Sequence, residues 1–106
     1  MPVPEISPEA LAPRIGQVML IDVRQPDEYE AAHVRTARLM PLHEVPDHVG
    51  ELPVDQEVVV MCRSGARSAM ASEFLIENGV SAVNLAGGIL AWVDAGHEVV
   101  AADQPA

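Results

Sequence analysis

Cysteine occurs once in these 106 residues, and lysine not at all. A lone thiol makes no internal disulfide, no CxxC redox pair and no thiolate metal cluster. Without lysine there is no ε-amine for Schiff-base chemistry. Cations in general are scarce: six, all arginine, stand against 16 acids, for a formal charge of −10. No basic stripe exists to displace the counterions of a phosphate backbone, which argues against nucleic acid as a partner. The same deficit argues against an anionic membrane surface. No apolar run approaches the roughly 18 residues of a membrane span. Met1 to Ser7 shows neither the charged start nor the apolar stretch of a secretory leader, so a reducing cytoplasm is the expected compartment.

What is present suits one domain over residues 1–106, with 49 % apolar residues for a core and a loose tail from about 101 to 106. Ser7-Pro8-Glu9 starts a short helix, with Ser7 as cap and Pro8 in the first position. Val18 to Arg24 is an unbroken apolar run ending in charge, the pattern of a strand buried on both faces. A short helix follows over Gln25–Ala32, then a strand near Ala37–Met40 and another short helix from His43 to Val49. Val58–Met61 is a second buried strand. The helix behind it, about Ala66 to Asn78, carries Met70, Ala71, Phe74 and Leu75 on one stripe, and Gly79 suits its end. Ala82–Leu85 is a further strand. Gly87-Gly88 leads into a last helix, Ile89 to Ala95, with Trp92 inward. Strands that alternate with helices predict an α/β fold with a parallel sheet and right-handed crossovers. Ligands then bind beyond the carboxyl ends of the strands. Asp22 with Arg24, Cys62, and Ala86-Gly87-Gly88 all sit at such ends.

The cysteine lies in Cys62-Arg63-Ser64-Gly65-Ala66-Arg67-Ser68, a Gly-containing turn between a strand and a helix. Backbone N–H groups converge on an anion in that setting. A free thiol titrates at about 8.5, and only its thiolate is a good nucleophile. The loop amides, the roughly +0.5 charge at a helix N-terminus and the guanidinium groups of Arg63 and Arg67 all favour the thiolate. Arg67 at a helix N-terminus breaks the local preference for acids, which marks a functional position. The competing reading, a small buried hydrophobe, fits poorly with so polar and cationic a turn. His33, His43, His48 and His97 lack the spacing of a metal site. His33 reads as a structural histidine before a base for Cys62. Asp22 and Arg24 read equally as site support or as a salt-bridged strand end. Glu28 reads as a solvated turn residue, Tyr29 as a packing ring, and Trp92 as core.

Three stretches resemble the rhodanese-like domains: Ile21-Asp22-Val23-Arg24 with Glu28-Tyr29 and His33, the Cys62–Ser68 loop, and Asn84-Leu85-Ala86-Gly87-Gly88-Ile89-Leu90-Ala91-Trp92. The resemblance covers roughly Ile6 to Val100. It implies a central parallel sheet with helices on both faces. It also implies a sulfurtransferase, in which Cys62 takes a sulfane sulfur from an anionic donor such as thiosulfate. The resulting persulfide passes its sulfur to cyanide or to a thiol, including a protein thiol. The amides of Arg63, Ser64, Gly65, Ala66, Arg67 and Ser68 would hold the persulfide, and Arg63 and Arg67 would bind the donor. No cofactor or metal is implied. The chain departs from the family where Ala32 and Thr36 stand in place of glycine. Phosphatases and arsenate reductases of a related branch have five residues between cysteine and arginine. Here four separate Cys62 from Arg67, a smaller loop suited to one sulfur atom. A non-catalytic regulatory or sulfur-carrier module is the third reading.

Overall fold

The computed structural model describes residues 2–101. The expected loose tail lies outside the described residues from 102 onward. Strand β1 (Glu5–Ile6) precedes helix α1 (Pro8–Leu11), which the Ser7 side chain caps by accepting the Ala10 N–H at 3.1 Å. The remaining elements are β2 (Met19–Asp22), α2 (Pro26–Ala31), β3 (Arg38–Leu39), α3 (Val45–His48), β4 (Glu57–Met61), α4 (Ala66–Glu77), β5 (Ser81–Leu85) and α5 (Gly88–Asp94). Single 3-10 turns flank α3, at Leu42–Glu44 and Val49–Glu51, so the expected helix around Pro46 is a string of three short turns.

All strand pairings are parallel, in the order β1-β5-β4-β2-β3. Parallel neighbours need crossovers, and the crossovers cover both faces of the sheet. Strand β4 shows how. Val58 and Val60 point to one side, where α4 brings Ala71 and Leu75 and the α3 region brings Val45. Val59 and Met61 point to the other, where α1 brings Leu11 and α5 brings Ile89 and Trp92. Four consecutive β4 residues, Val58 to Met61, have no exposed surface. That explains why their sequence is continuously apolar and not alternating.

The helix-face expectation for α4 needs one correction. Met70 is 64 % exposed, whereas Ser68, Ala71, Ser72 and Leu75 are buried. Two serines occupy inward positions, so the buried stripe is rotated away from where the apolar residues alone place it.

The two departures from the family pattern have different consequences. Ala32 sits at φ −167°, extended backbone that any residue adopts. Thr36 sits at φ 72° and is the single non-glycine residue in the left-handed region among those described. A β-branched side chain is costly there, because its Cβ crowds the following carbonyl. Replacing Thr36 with Gly removes that crowding. We expect the urea midpoint to rise by the equivalent of about 1 kcal/mol, after the added chain entropy of glycine is set against the relief.

Candidate active site

Strand β4 ends at Met61, and the chain turns at once into the Cys62–Ser68 loop. Gly65, at φ 110°, turns it into α4. The shape of the loop is imposed partly from outside. The first amides of α5 bind its carbonyls: Ile89 N–H donates to Cys62 O at 2.9 Å and Leu90 N–H to Arg63 O at 3.1 Å. In a peptide plane the C=O and the next N–H point in opposite directions. Drawing the Cys62 and Arg63 carbonyls toward α5 therefore turns the N–H groups of Arg63 and Ser64 the other way, into the loop. Gly88 makes this approach possible. A Cβ there would lie 2.4 Å from Arg63 O and 2.5 Å from Cys62 O.

Inside the loop, Cys62 Sγ accepts the Gly65 N–H at 3.1 Å and faces Ser68 Oγ at 3.3 Å. Burial by itself raises the thiol pKa. The Ser68 hydroxyl and the backbone N–H groups of Ser68, Gly65 and Ser64 outweigh it, and the thiol is held below its ordinary value. The Ser68 hydroxyl has one proton and three acceptors in reach: Sγ, Gly65 O at 3.2 Å and Asn84 Oδ1 at 2.5 Å. Asn84 Nδ2–H donates to Gly65 O at 3.1 Å, which fixes the amide with its oxygen toward Ser68. A charged thiolate is the strongest acceptor of the three. The hydroxyl sits between the sulfur and Asn84 Oδ1, within reach of both. The sequence motif contains Asn84, but nothing in its spacing announces this role, because β5 and the loop meet only in three dimensions.

The cations are placed differently from expectation. Arg67 does not face the sulfur as a free charge. Its guanidinium donates to Glu28 of α2 through two bonds of 2.7 and 3.0 Å. Glu28 also accepts the Gln25 N–H at 3.0 Å, so it is a clamp between α2 and the start of α4 and not a solvated turn residue. The Arg67 guanidinium holds the Glu28 carboxyl at about 2, down from its ordinary 4.5, with burial opposing and the Gln25 amide assisting. Arg63 is exposed and, among the described residues, is the one arginine of the six without a carboxylate partner. Ser64 and Ala66 are exposed and Gly65 half-buried.

Asp22 and Arg24 form a buried pair at the end of β2. Arg24 Nε lies 2.9 and 3.0 Å from the two Asp22 oxygens, and Nη2 lies 2.8 Å from Oδ2. The same Nη2 donates to Ala32 O at 2.7 Å, which anchors the end of α2. Neither residue bonds to Cys62; the pair is a buried strand end that also ties down α2. His33 is buried, stacks on Tyr29 at 3.8 Å, and donates Nδ1–H to the Tyr29 carbonyl at 2.9 Å. It makes no bond to the cysteine. Trp92 is core, with its indole N–H donated to Glu98 O at 2.9 Å. Among the described residues, no three His, Cys, Asp or Glu side chains are grouped to hold a metal ion. No described helix is long and apolar enough to cross a membrane.

A cysteine in a strand-to-helix loop, on this sheet, can be compared with known proteins. The rhodanese-like domain model matches residues 7–95. The chain belongs to the rhodanese-like family. This rhodanese-like domain is 41 % identical over 101 residues to a sulfurtransferase of Allochromatium vinosum, covering 92 % of the chain and 94 % of that relative. It is 35 % identical over 89 residues to the thiosulfate sulfurtransferase GlpE of Pseudomonas entomophila, covering 82 % of each. A rhodanese-related protein of Thermoplasma volcanium superposes with a TM-score of 0.86 at 32 % identity, covering 92 % of this chain and 97 % of the other. The expected parallel sheet with helices on both faces is therefore the fold of the family.

Two tests follow from this geometry. In Ser68→Ala the thiol loses its side-chain donor, so its pKa rises. The pH at which iodoacetamide alkylation reaches half its maximal rate should shift upward; an unchanged profile would show that the backbone alone sets the thiolate. The second test concerns Glu28. A carboxyl pKa depressed by folding adds stability that is fully present above 4.5 and disappears as the pH falls toward about 2. Glu28→Gln should therefore melt lower than the parent near pH 6, with the two curves converging as the pH approaches 2.

Proposed function

We propose that this rhodanese-like domain moves a sulfane sulfur from an anionic donor of the thiosulfate type to a thiophilic acceptor, cyanide or a thiol, through a persulfide on Cys62. The observation that carries the proposal is the seat of Cys62 Sγ, with the Gly65 N–H at 3.1 Å and the Ser68 hydroxyl at 3.3 Å. A cradle of donors stabilises a sulfur-centred anion before and after transfer.

The Cys62 thiolate attacks the terminal sulfur of thiosulfate. A sulfur–sulfur bond forms, the bond to the sulfonate breaks, and sulfite leaves with the electron pair. The new outer sulfur carries the negative charge. Cyanide or a thiolate then attacks that outer sulfur, the bond to Cys62 breaks, and the electron pair returns to the Cys62 thiolate. Charge is conserved in both halves, and no cofactor enters. This is covalent catalysis in two displacements, with ping-pong kinetics. The remaining amides of Arg63, Ser64, Ala66, Arg67 and Ser68 line the turn that holds the persulfide. Arg63, the uncommitted cation, meets the donor. Arg67 acts through Glu28, by holding the start of α4. With one cysteine in the chain, the acceptor comes from outside.

The oxyanion-binding alternative, a phosphatase or arsenate reductase, needs a loop arginine free to clamp an oxyanion. Arg67 commits two of its five N–H donors, and its charge, to Glu28, which disfavours that reading. A purely regulatory module that carries no sulfur gives no role to a thiol seated between the Gly65 N–H and the Ser68 hydroxyl.

Incubation with thiosulfate should add the mass of one sulfur atom to the intact chain, and cyanide should remove it. Cys62→Ser should abolish both changes. Arg63→Ala should raise the thiosulfate KM about fivefold, the upper end for an exposed ion pair. Full transferase activity in Cys62→Ser would overturn the mechanism.

A further inference from the structure

A cavity of about 420 Å³ adjoins the Cys62 loop. It shares Arg63 with the loop, and its wall includes Ile89, whose amide holds the Cys62 carbonyl. The space is open to solvent, and it offers room beside the loop for a molecule larger than cyanide or thiosulfate.

Its lining is informative. Ala31 and Ala32 from the end of α2 face Leu90 and Val93 of α5. Leu90 and Val93 are 47 % and 51 % exposed, so two large apolar side chains of one short helix border the opening. Two of the charged groups in the wall are already committed: Arg24 to Asp22 and Ala32 O, and Glu28 to Arg67. Two are not. Arg63 and Asp94 have no ion-pair partner among the described residues, and they do not pair with each other. Asp94 lies one helical turn beyond Leu90, whose amide is bonded to Arg63 O, so both uncommitted charges flank the same apolar wall.

From this we infer that the cavity is the acceptor subsite for a small thiol bearing both a carboxylate and an ammonium group, an amino-acid-type thiol such as cysteine. The assignment rests on the sulfur-transfer reading of Cys62. The carboxylate sits on Arg63, the ammonium on Asp94, and the methylene against Leu90 and Val93. Its thiolate attacks the outer sulfur of the Cys62 persulfide, the bond to Cys62 breaks, the electron pair returns to Cys62, and the acceptor leaves as its own persulfide anion. A thiol with one charge satisfies half of the site and leaves the other charge alone.

The chain is first loaded with sulfur from thiosulfate or polysulfide, then discharged with L-cysteine, 3-mercaptopropionate (no ammonium) or cysteamine (no carboxylate), and followed by intact mass. Rates are taken per thiolate and compared between parent and variant, which cancels the intrinsic reactivity of each thiol. Asp94→Asn should slow cysteine about fivefold relative to 3-mercaptopropionate, and Arg63→Gln should slow it about fivefold relative to cysteamine, the scale of an exposed ion pair. Unchanged ratios in both variants would overturn the subsite while leaving the persulfide chemistry standing. A chain that gains sulfur from neither source overturns the transfer reading, and the subsite falls with it.

Discussion

The candidate site depends on two hydrogen bonds that the loop does not make with itself. The amides of Ile89 and Leu90 hold the carbonyls of Cys62 and Arg63. A loop of this length has many low-energy shapes, and most scatter their N–H groups. Fixing two carbonyls outward selects the shape in which the following amides point inward. The contact requires backbone to approach backbone, which is why Gly88 carries no Cβ and adopts φ 60°. The glycines after β5 thus serve the cysteine after β4. Adjacency of β4 and β5 in the sheet brings the two turns together.

Charge is organised on the same principle of commitment. In a chain of net charge −10, a bare cation is quickly matched by an acid. The buried Asp22–Arg24 pair gives up hydration on both sides, so its presence is weak evidence for stability. Its value is positional. Arg24 reaches on to Ala32 O and anchors the end of α2, and Glu28 on that helix in turn grips Arg67 at the start of α4. One chain of contacts therefore runs from the end of β2 through α2 to the helix whose first turn faces the thiol. Arg63 stands outside it.

Much of this was readable in the residues. Strands β2 and β4 are buried on both faces, so their apolar runs are close to continuous and hard to mistake. The strand-turn-helix setting of Cys62 is a local pattern and was equally plain. What escaped depends on distance or on disguise. Strand β1 is two residues long and is held by backbone pairing to β5, with no side-chain pattern to betray it. Ser68 and Ser72 are buried polar residues, and they hid the true inward face of α4 behind Met70. Glu28 and Arg67 are 39 residues apart, and no spacing rule joins α2 to α4. Thr36 was visible as a departure, but its left-handed backbone was not.

Cys62 is only 1 % exposed, though it sits beside the exposed Arg63 and Ser64. A sulfur so recessed is shielded by shape. Such a recess suits a donor ending in a single bare sulfur better than a bulky disulfide. Once a second sulfur is attached, it stands about 2 Å farther along the exit, one S–S bond length. The same recess that screens the resting anion would then present the added atom to the outside. Shape can thus screen the resting thiol from bulky oxidants while leaving an added sulfur open to removal.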